Sequence, residues 1–179
     1  MARYEIRLSG AGGQGMILAG IILAESVLEE DNLNVTQTQS YGPESRGGAS
    51  RAEVVISEDV IDYPKVIKPD CLLCLTQEAF DKYGSELKDD GVLIVDERID
   101  TSQAKKEIKE NILSLPIMET AVEEVGMRLT ANIVVLGVID KYVTQINTEN
   151  LKNAIKERVP QDTVELNIKA FEHGQNLVK

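Results

Sequence analysis

Four glycines between the first predicted strand and the first long helix form the pattern best suited to ligand binding. Gly10, Gly12 and Gly15 match G-x-G-x-x-G, with Gly13 and Gln14 inside the motif. Glycines let the backbone turn tightly and approach a ligand, while unpaired amides and the positive end of the helix dipole attract an anion. We predict that these five residues bind a phosphate group. The alternative is a tight turn that binds no ligand.

The same motif occurs in dinucleotide-binding proteins, where an acidic residue ends the second strand and binds the ribose hydroxyls. Here the second predicted strand ends in Gln37-Thr-Gln-Ser40, and the nearby acids at 29–31 precede that strand. The turn is therefore predicted to bind phosphate without dinucleotide chemistry. A stand-alone NAD-dependent oxidoreductase is the disfavoured alternative. A noncatalytic nucleotide-binding or scaffold module also stays open, because no general acid and base are placed together.

A second candidate is the stretch Tyr41-Gly-Pro-Glu-Ser-Arg-Gly-Gly48. Ser45 offers a hydroxyl and Arg46 a planar cation suited to phosphate or carboxylate, while Gly47 and Gly48 permit close backbone approach. Loops with such residues beside a sheet edge often bind ligands, so these four residues are predicted to do so. In the alternative, Arg46 pairs with a surface carboxylate and the glycines only shape the turn.

Two cysteines, Cys71 and Cys74, have the C-x-x-C spacing of redox and metal sites. They lie in an apolar run that resembles a buried strand, where residues three apart point to opposite faces. A metal site would need more ligands than two cysteines and one histidine supply. We interpret both as core residues, and we predict no metal site in this chain.

Strand and helix patterns alternate along the chain, which predicts a three-layer α/β/α fold with a Rossmann-like first βα unit. The hairpin-like return around 41–48 makes the sheet mostly parallel or mixed. The helix at 16–30 is apolar around its first half, so it needs cover from a partner chain or from the C-terminal helices. Thr130 and Asn132 are predicted to cap a buried helix, with a ligand contact as the alternative. Strands are predicted at 4–8, 33–39, 51–57, 72–75, 92–95 and 112–115, and the remaining helices at 77–87, 101–110, 116–125, 131–143, 148–159 and 164–177.

The chain has 179 residues and a formal net charge of −11. This charge opposes binding to nucleic acid and to anionic membrane surfaces. No apolar run approaches the length of a membrane span, and the first eight residues carry charges where a secretory signal would be apolar. We therefore expect a cytoplasmic protein that forms one domain over residues 1–179.

The two glycine-containing stretches, 10–15 and 41–48, resemble the gamma subunit of 2-oxoacid:ferredoxin (acceptor) oxidoreductases. The similarity runs end to end and includes Leu115-Pro-Ile, Thr130-Ala-Asn132 and the segment 167–174. Within that family, the stretch 41–48 is most similar to the 2-oxoglutarate type. The resemblance implies an enzyme that oxidatively decarboxylates a 2-oxoacid on thiamine diphosphate, forms an acyl-CoA and passes electrons through iron–sulfur clusters to ferredoxin.

The chain has neither the Gly-Asp-Gly to Asn-Asn arrangement that holds the Mg²⁺ diphosphate of thiamine nor enough cysteines for a cluster. The resemblance therefore implies that thiamine diphosphate, Mg²⁺ and clusters belong to alpha, beta and possibly delta (ferredoxin-like) subunits. It leaves coenzyme A, which carries a diphosphate and a further phosphate, for the glycine turn and the Ser45-Arg46-Gly47 stretch. No catalytic residue is expected in this chain.

Overall fold

A computed structural model describes residues 3–40 and 49–178, and these residues form a six-stranded sheet with helices on both faces. The sheet order is β2-β3-β1-β4-β5-β6. β1, β4, β5 and β6 are parallel, while β3 runs antiparallel to both β1 and β2. The predicted three-layer α/β/α fold with a mixed sheet is confirmed. The strands are β1 Tyr4–Ala11, β2 Asn34–Ser40, β3 Ala49–Ser57, β4 Cys71–Cys74, β5 Val92–Asp96 and β6 Ile112–Leu115.

Six α-helices are present in the described ranges: α1 Met16–Leu28, α2 Gln77–Tyr83, α3 Ile117–Glu119, α4 Ala131–Asp140, α5 Thr148–Arg158 and α6 Val164–Asn176. Side chains cap two of them. The Thr76 hydroxyl accepts a hydrogen bond from the Ala79 amide, and the Asn147 side chain accepts one from the Glu149 amide. α3 continues as a π-helical turn over Thr120–Glu124.

The prediction of an α-helix at 101–110 is wrong. The segment consists of turns followed by a 3₁₀ helix, Lys106–Asn111, in which Ile108 is the buried residue. The carboxylate of Asp100 accepts the amide of Ser102 at 2.9 Å, which favours a turn over a helix at this point. A segment with so little apolar surface to bury gains too little from packing to stabilise a regular helix.

The two faces of the sheet carry separate apolar clusters. Side chains of β1 such as Ile6 and Leu8 pack with α1 and α4 on one face, while Leu72 and Leu93 pack with α2 on the other. α1 contacts α4 and α5, so this chain's own C-terminal helices cover it. β4 contributes to both clusters, which explains its uninterrupted apolar sequence.

Across residues 3–40 and 49–178, no helix combines the length and apolar character that spanning a bilayer requires.

Candidate functional site

The glycine motif lies where β1 ends and α1 begins, at the carboxyl end of the parallel strands. Gly10 is still a strand residue, paired opposite Ser50, and β1 continues to Ala11. The predicted strand ended three residues earlier, at Leu8. The turn proper is therefore short, from Gly12 to Gly15, and it leads directly into the helix.

Two of the turn glycines adopt backbone angles that other residues rarely take. Gly13 has φ of 87° and Gly15 has φ of 74°, both in the left-handed region. A Cβ atom at Gly12 or Gly13 would have no heavy atom of the described residues within 4 Å, so both glycines are open toward that part of the chain. A Cβ atom at Gly15 would lie 2.6 Å from Nδ2 of Asn132. The turn is thus packed at Gly15 and open at Gly12 and Gly13.

The side chain of Gln14 folds back into the turn. Its Oε1 accepts the Ala11 amide at 2.7 Å, and the Gln14 amide donates to the Ala11 carbonyl at 3.2 Å. These two hydrogen bonds fix the backbone of the turn. Gln14 therefore holds the loop shape through its side-chain oxygen, while its side-chain NH₂ group is a separate donor.

Several amides at this junction are available to a ligand. Within the described ranges, no hydrogen bond joins the amides of Gly12, Gly13 and Gly15 to an acceptor. The first turn of α1 has neither a side-chain cap nor an acidic residue. Free amides at the positive end of a 13-residue helix favour an anion. These amides can accordingly donate to a phosphate oxygen without giving up a hydrogen bond to any described residue.

The second predicted motif, with Ser45, Arg46, Gly47 and Gly48, lies outside the described residues. The residues that flank it are Ser40 at the end of β2 and Ala49 at the start of β3. Ala49 pairs opposite Ala11, and Ser40 pairs opposite Arg51. Both ends of the motif therefore start from the sheet edge that carries the glycine turn.

Two side chains from other elements bond to the backbone around the turn: Ser50, which the sequence did not single out, and Asn132, for which a ligand contact was the alternative to capping. The Ser50 hydroxyl donates to the carbonyl oxygens of Gly10 and Ala11 at 3.4 and 3.3 Å. Nδ2 of Asn132 donates to the Gly15 carbonyl at 3.4 Å. Both side chains bind carbonyls, which leaves the amides of the turn free.

Thr130 occupies the N-cap position of α4, but the predicted capping by the side chains of Thr130 and Asn132 is wrong. α4 has no side-chain capping hydrogen bond, and the Thr130 hydroxyl donates to the Met127 carbonyl at 2.7 Å. Asn132 instead reaches the glycine turn, because α4 begins beside the start of α1. The polar side chain at this helix start thus supports the β1–α1 junction.

Charge differs between the two halves of this edge. At the end of β5, buried Asp96 accepts the Met118 amide at 2.8 Å and pairs with Arg98. Beside it, a hydrogen bond to Glu119 raises the pKa of Glu97. In the other half, Arg51 lies on β3 opposite Ser9, and its guanidinium pairs with Glu53 at 3.6 Å. The grouped carboxylates of Asp96, Glu97 and Glu119 therefore disfavour an anionic ligand beside β5.

A cavity of about 450 Å³ between α1 and α5 is a poor alternative site for an anion. Its lining includes the carboxylates of Glu25, Glu29 and Glu157, with Lys156 as the one lysine. It also lies at the C-terminal end of α1, where the helix dipole is negative.

The comparison with known families agrees with this geometry. Residues 5–177 match the family model described as pyruvate ferredoxin/flavodoxin oxidoreductase. The chain belongs to this family. The resemblance drawn from the sequence is confirmed, and so is the expectation of an oxidoreductase subunit.

Members of the family with similar length match the chain from end to end. It is 47% identical over 177 residues to the 2-oxoglutarate synthase subunit KorC of Methanocaldococcus jannaschii, covering 99% of this chain and 95% of that protein. It matches the crystal structure of a keto/oxoacid ferredoxin oxidoreductase gamma subunit from Geobacter sulfurreducens with a TM-score of 0.86 and 45% identity. That match covers 99% of this chain and 97% of the other.

Another solved structure contains the same fold within a longer polypeptide. The 2-oxoglutarate:ferredoxin oxidoreductase of Magnetococcus marinus, solved with 2-oxoglutarate, coenzyme A and succinyl-CoA bound, matches with a TM-score of 0.82 and 23% identity. The match covers 98% of this chain but 31% of that one. At this identity the likeness concerns the fold alone.

The cysteines of this family member are core residues, as predicted. Cys71 and Cys74 are both buried and belong to the apolar clusters on opposite faces of the sheet. Burial raises the pKa of both thiols to about 12, so neither forms a reactive thiolate at neutral pH. Within the described ranges, no group of three or more metal-ligating side chains comes together.

The topology also argues against an NAD site of the dinucleotide-binding type. In that fold the second strand lies parallel and next to the first, and its end carries the ribose-binding acid. Here the antiparallel strand β3 separates β2 from β1. The end of β2 is therefore one strand further from the glycine turn than that site requires.

Proposed function

We propose that this chain is the gamma subunit of a 2-oxoglutarate:ferredoxin oxidoreductase and that it binds coenzyme A at the glycine edge of its sheet. The observation that carries the proposal is the set of free amides at Gly12, Gly13 and Gly15, beside a second motif anchored at the same edge. Oxoglutarate is favoured as the substrate by the 47% identity to the M. jannaschii synthase subunit.

Coenzyme A suits this edge because it carries phosphates in two places. In the proposal, the amides of the turn bind one phosphate, and Ser45, Arg46, Gly47 and Gly48 bind another part of the same ligand. Gly10 allows Gln14 to fold back, since a Cβ atom at Gly10 would lie 2.5 Å from its Oε1. Gln14 and Gly15 then shape the loop. Coenzyme A bound to the M. marinus relative is consistent with this assignment.

The remaining chemistry is assigned to partner chains. Thiamine diphosphate, Mg²⁺ and the iron–sulfur clusters belong to alpha, beta and possibly delta subunits in the cytoplasm, and ferredoxin accepts the electrons. Residues 1–179 act as one gamma-type domain that positions coenzyme A and contributes no catalytic residue. The thiol of coenzyme A is the acyl acceptor of the complex.

Isothermal titration of coenzyme A against the assembled complex tests the ligand assignment. Arg46→Ala and Gly12→Val are each expected to raise Kd about 10-fold or more, because each disturbs a hydrogen bond to a charged group. Lys156→Ala, in the cavity between α1 and α5, is the control and should bind normally. Unchanged affinity in both edge variants would refute the coenzyme A site while leaving the subunit assignment standing.

The substrate assignment is tested separately on the wild-type complex. Ferredoxin reduction should be fastest with 2-oxoglutarate when it is compared with pyruvate and 2-oxoisovalerate. Preference for one of the other two acids would contradict the 2-oxoglutarate assignment.

A further inference from the structure

The segment from 58 to 68, between β3 and β4, exposes three large apolar side chains. Val60 is 81% exposed, Tyr63 50% and Ile67 68%. Single exposed apolar side chains are ordinary on protein surfaces, whereas several close together favour an interaction site. We refer to residues 58–68 as the docking segment.

The backbone of the docking segment is fixed by charged groups at the start of β1. The guanidinium of Arg3 donates to the carbonyls of Tyr63 and Lys65, each at 2.6 Å. The carboxylate of Glu5 accepts the amides of Ile67 and Lys68 at 2.7 and 2.8 Å. Arg3 and Glu5 also pair with each other.

β2 holds the other part of the segment. Nδ2 of Asn34 donates to the carbonyls of Glu58 and Asp59 at 3.1 and 3.2 Å, and the Thr36 hydroxyl donates to the Pro64 carbonyl at 3.2 Å. The segment is therefore attached to two strands along its length. These contacts lie near the amino ends of β1 and β2, opposite the glycine edge.

Burying the carboxylate of Glu5 costs desolvation free energy, and the docking segment supplies hydrogen-bond donors that offset this cost. The Glu5 side chain is 4% exposed, and a buried carboxylate is stable only when charged or hydrogen-bonding partners compensate its desolvation. Here those partners are Arg3 and the amides of the docking segment. A rigid backbone that presents apolar side chains loses little conformational entropy on binding, which is how interface anchors work.

We propose that the docking segment binds a separate subunit of the oxidoreductase complex, through an apolar surface with basic residues placed opposite Asp59 and Asp62. The proposal rests on the proposed function above. Val60 and Tyr63 alternate with these two exposed carboxylates. The segment's lysines lie further along: Lys65 is exposed, and Lys68 is paired with Asp89 at 3.5 Å. Charge around Val60 and Tyr63 thus favours a basic rim on the partner.

A different subunit fits this surface better than a second copy. Two copies would each carry a net charge of −11 and would repel one another. The exposed carboxylates of Asp59 and Asp62 on both copies would add to this repulsion at the segment itself.

Co-purification of the tagged chain with its co-expressed partner subunits tests the proposal. Ile67→Asp and Tyr63→Ser are each expected to reduce partner recovery about 10-fold or more. Both side chains are largely exposed, so thermal unfolding of the isolated chain should change little. Leu28→Asp is the matched control, because Leu28 is 66% exposed on α1 and lies outside the docking segment; it should retain the partners.

The co-purification results distinguish failure of the proposed function from failure of the docking surface. If the wild-type chain recovers no partner, the proposed function fails. If wild type and Ile67→Asp recover partners equally, the proposed function stands and the docking surface is refuted. Sedimentation of the isolated wild-type chain should show a monomer, and a dimer that Ile67→Asp disperses would mean that the segment binds a second copy instead.

Discussion

Substituting alanine for Gly13 or for Gly126 should introduce the same backbone strain into two different loops. Gly13 has φ of 87° and Gly126 has φ of 88°, and a Cβ atom at either would have no heavy atom of residues 3–40 and 49–178 within 4 Å. A left-handed alanine costs about 1–2 kcal/mol, and the lower entropy of the unfolded chain offsets about 0.4–1 kcal/mol of this. Both variants should lose about 1 kcal/mol, which lowers Tm by about 2–4 °C at this chain length.

The two variants should differ in ligand affinity. The added methyl group at Gly13 projects into the space beside free amides, where the proposed phosphate binds. Loss of one hydrogen bond to a charged group costs about 1.5–3 kcal/mol, so Kd for coenzyme A should rise about 10- to 150-fold. Gly126→Ala should leave Kd unchanged. The assay is titration calorimetry on the assembled complex, well below the Tm of both variants.

A third variant distinguishes the effect of backbone strain from steric blockage of the ligand. Gly12 does not have a positive φ and is also open toward the described residues, so Gly12→Ala should keep the stability of the wild type and still weaken binding. If all three variants bind coenzyme A like the wild type, the ligand does not approach these amides. If Gly126→Ala weakens binding as much as Gly13→Ala, affinity follows stability and the turn has no special role.

Three further predictions concern stability and reactivity. Gly137→Ala should lower the free energy of unfolding in urea by about 3 kcal/mol or more, because its Cβ would lie 2.0 Å from the carbonyl oxygen of Phe171 on α6. An unchanged unfolding midpoint would mean that α4 and α6 can move apart at little cost in free energy. Burial raises the pKa of Cys71 and Cys74 to about 12, so iodoacetamide at pH 8 should modify them only as fast as the chain unfolds. Fast alkylation of the native chain would contradict the burial of these thiols. Above about pH 8.5 only the thiols of the unfolded chain ionise, so the free energy of unfolding should fall as pH rises toward 12. The expected slope is up to about 1.4 kcal/mol per pH unit for each thiol.

The parts of the fold that depend on local sequence were predicted well. Alternating apolar residues located the strands, and the glycines located the β1–α1 junction, because both signals arise from neighbouring residues. The extension of β1 to Ala11 was missed since it depends on pairing with Ala49 and Ser50 of β3. The helix predicted to reach Leu87 ends at Tyr83 and continues as a short 3₁₀ helix.

The support of the candidate site could not be predicted from local patterns. Asn132 contacts Gly15 across 117 positions of sequence, and Ser50 contacts Gly10 across 40. No periodicity encodes which distant side chain reaches a given carbonyl. The docking segment was missed for the same reason, because the hydrogen bonds of Arg3 and Glu5 to it span about 60 positions.

β1 connects the two proposed surfaces and keeps them apart. Its amino end, beside Arg3 and at Glu5, holds the docking segment, while its carboxyl end leads into the glycine turn. The eight residues of β1 give seven steps of about 3.3 Å, which separate its ends by about 23 Å, too far for a side chain at Ile67 to touch a ligand at Gly13. Complexes that do assemble with Ile67→Asp should therefore bind coenzyme A with wild-type affinity. A matching loss of affinity would mean that docking and ligand binding are coupled through the strand rather than independent.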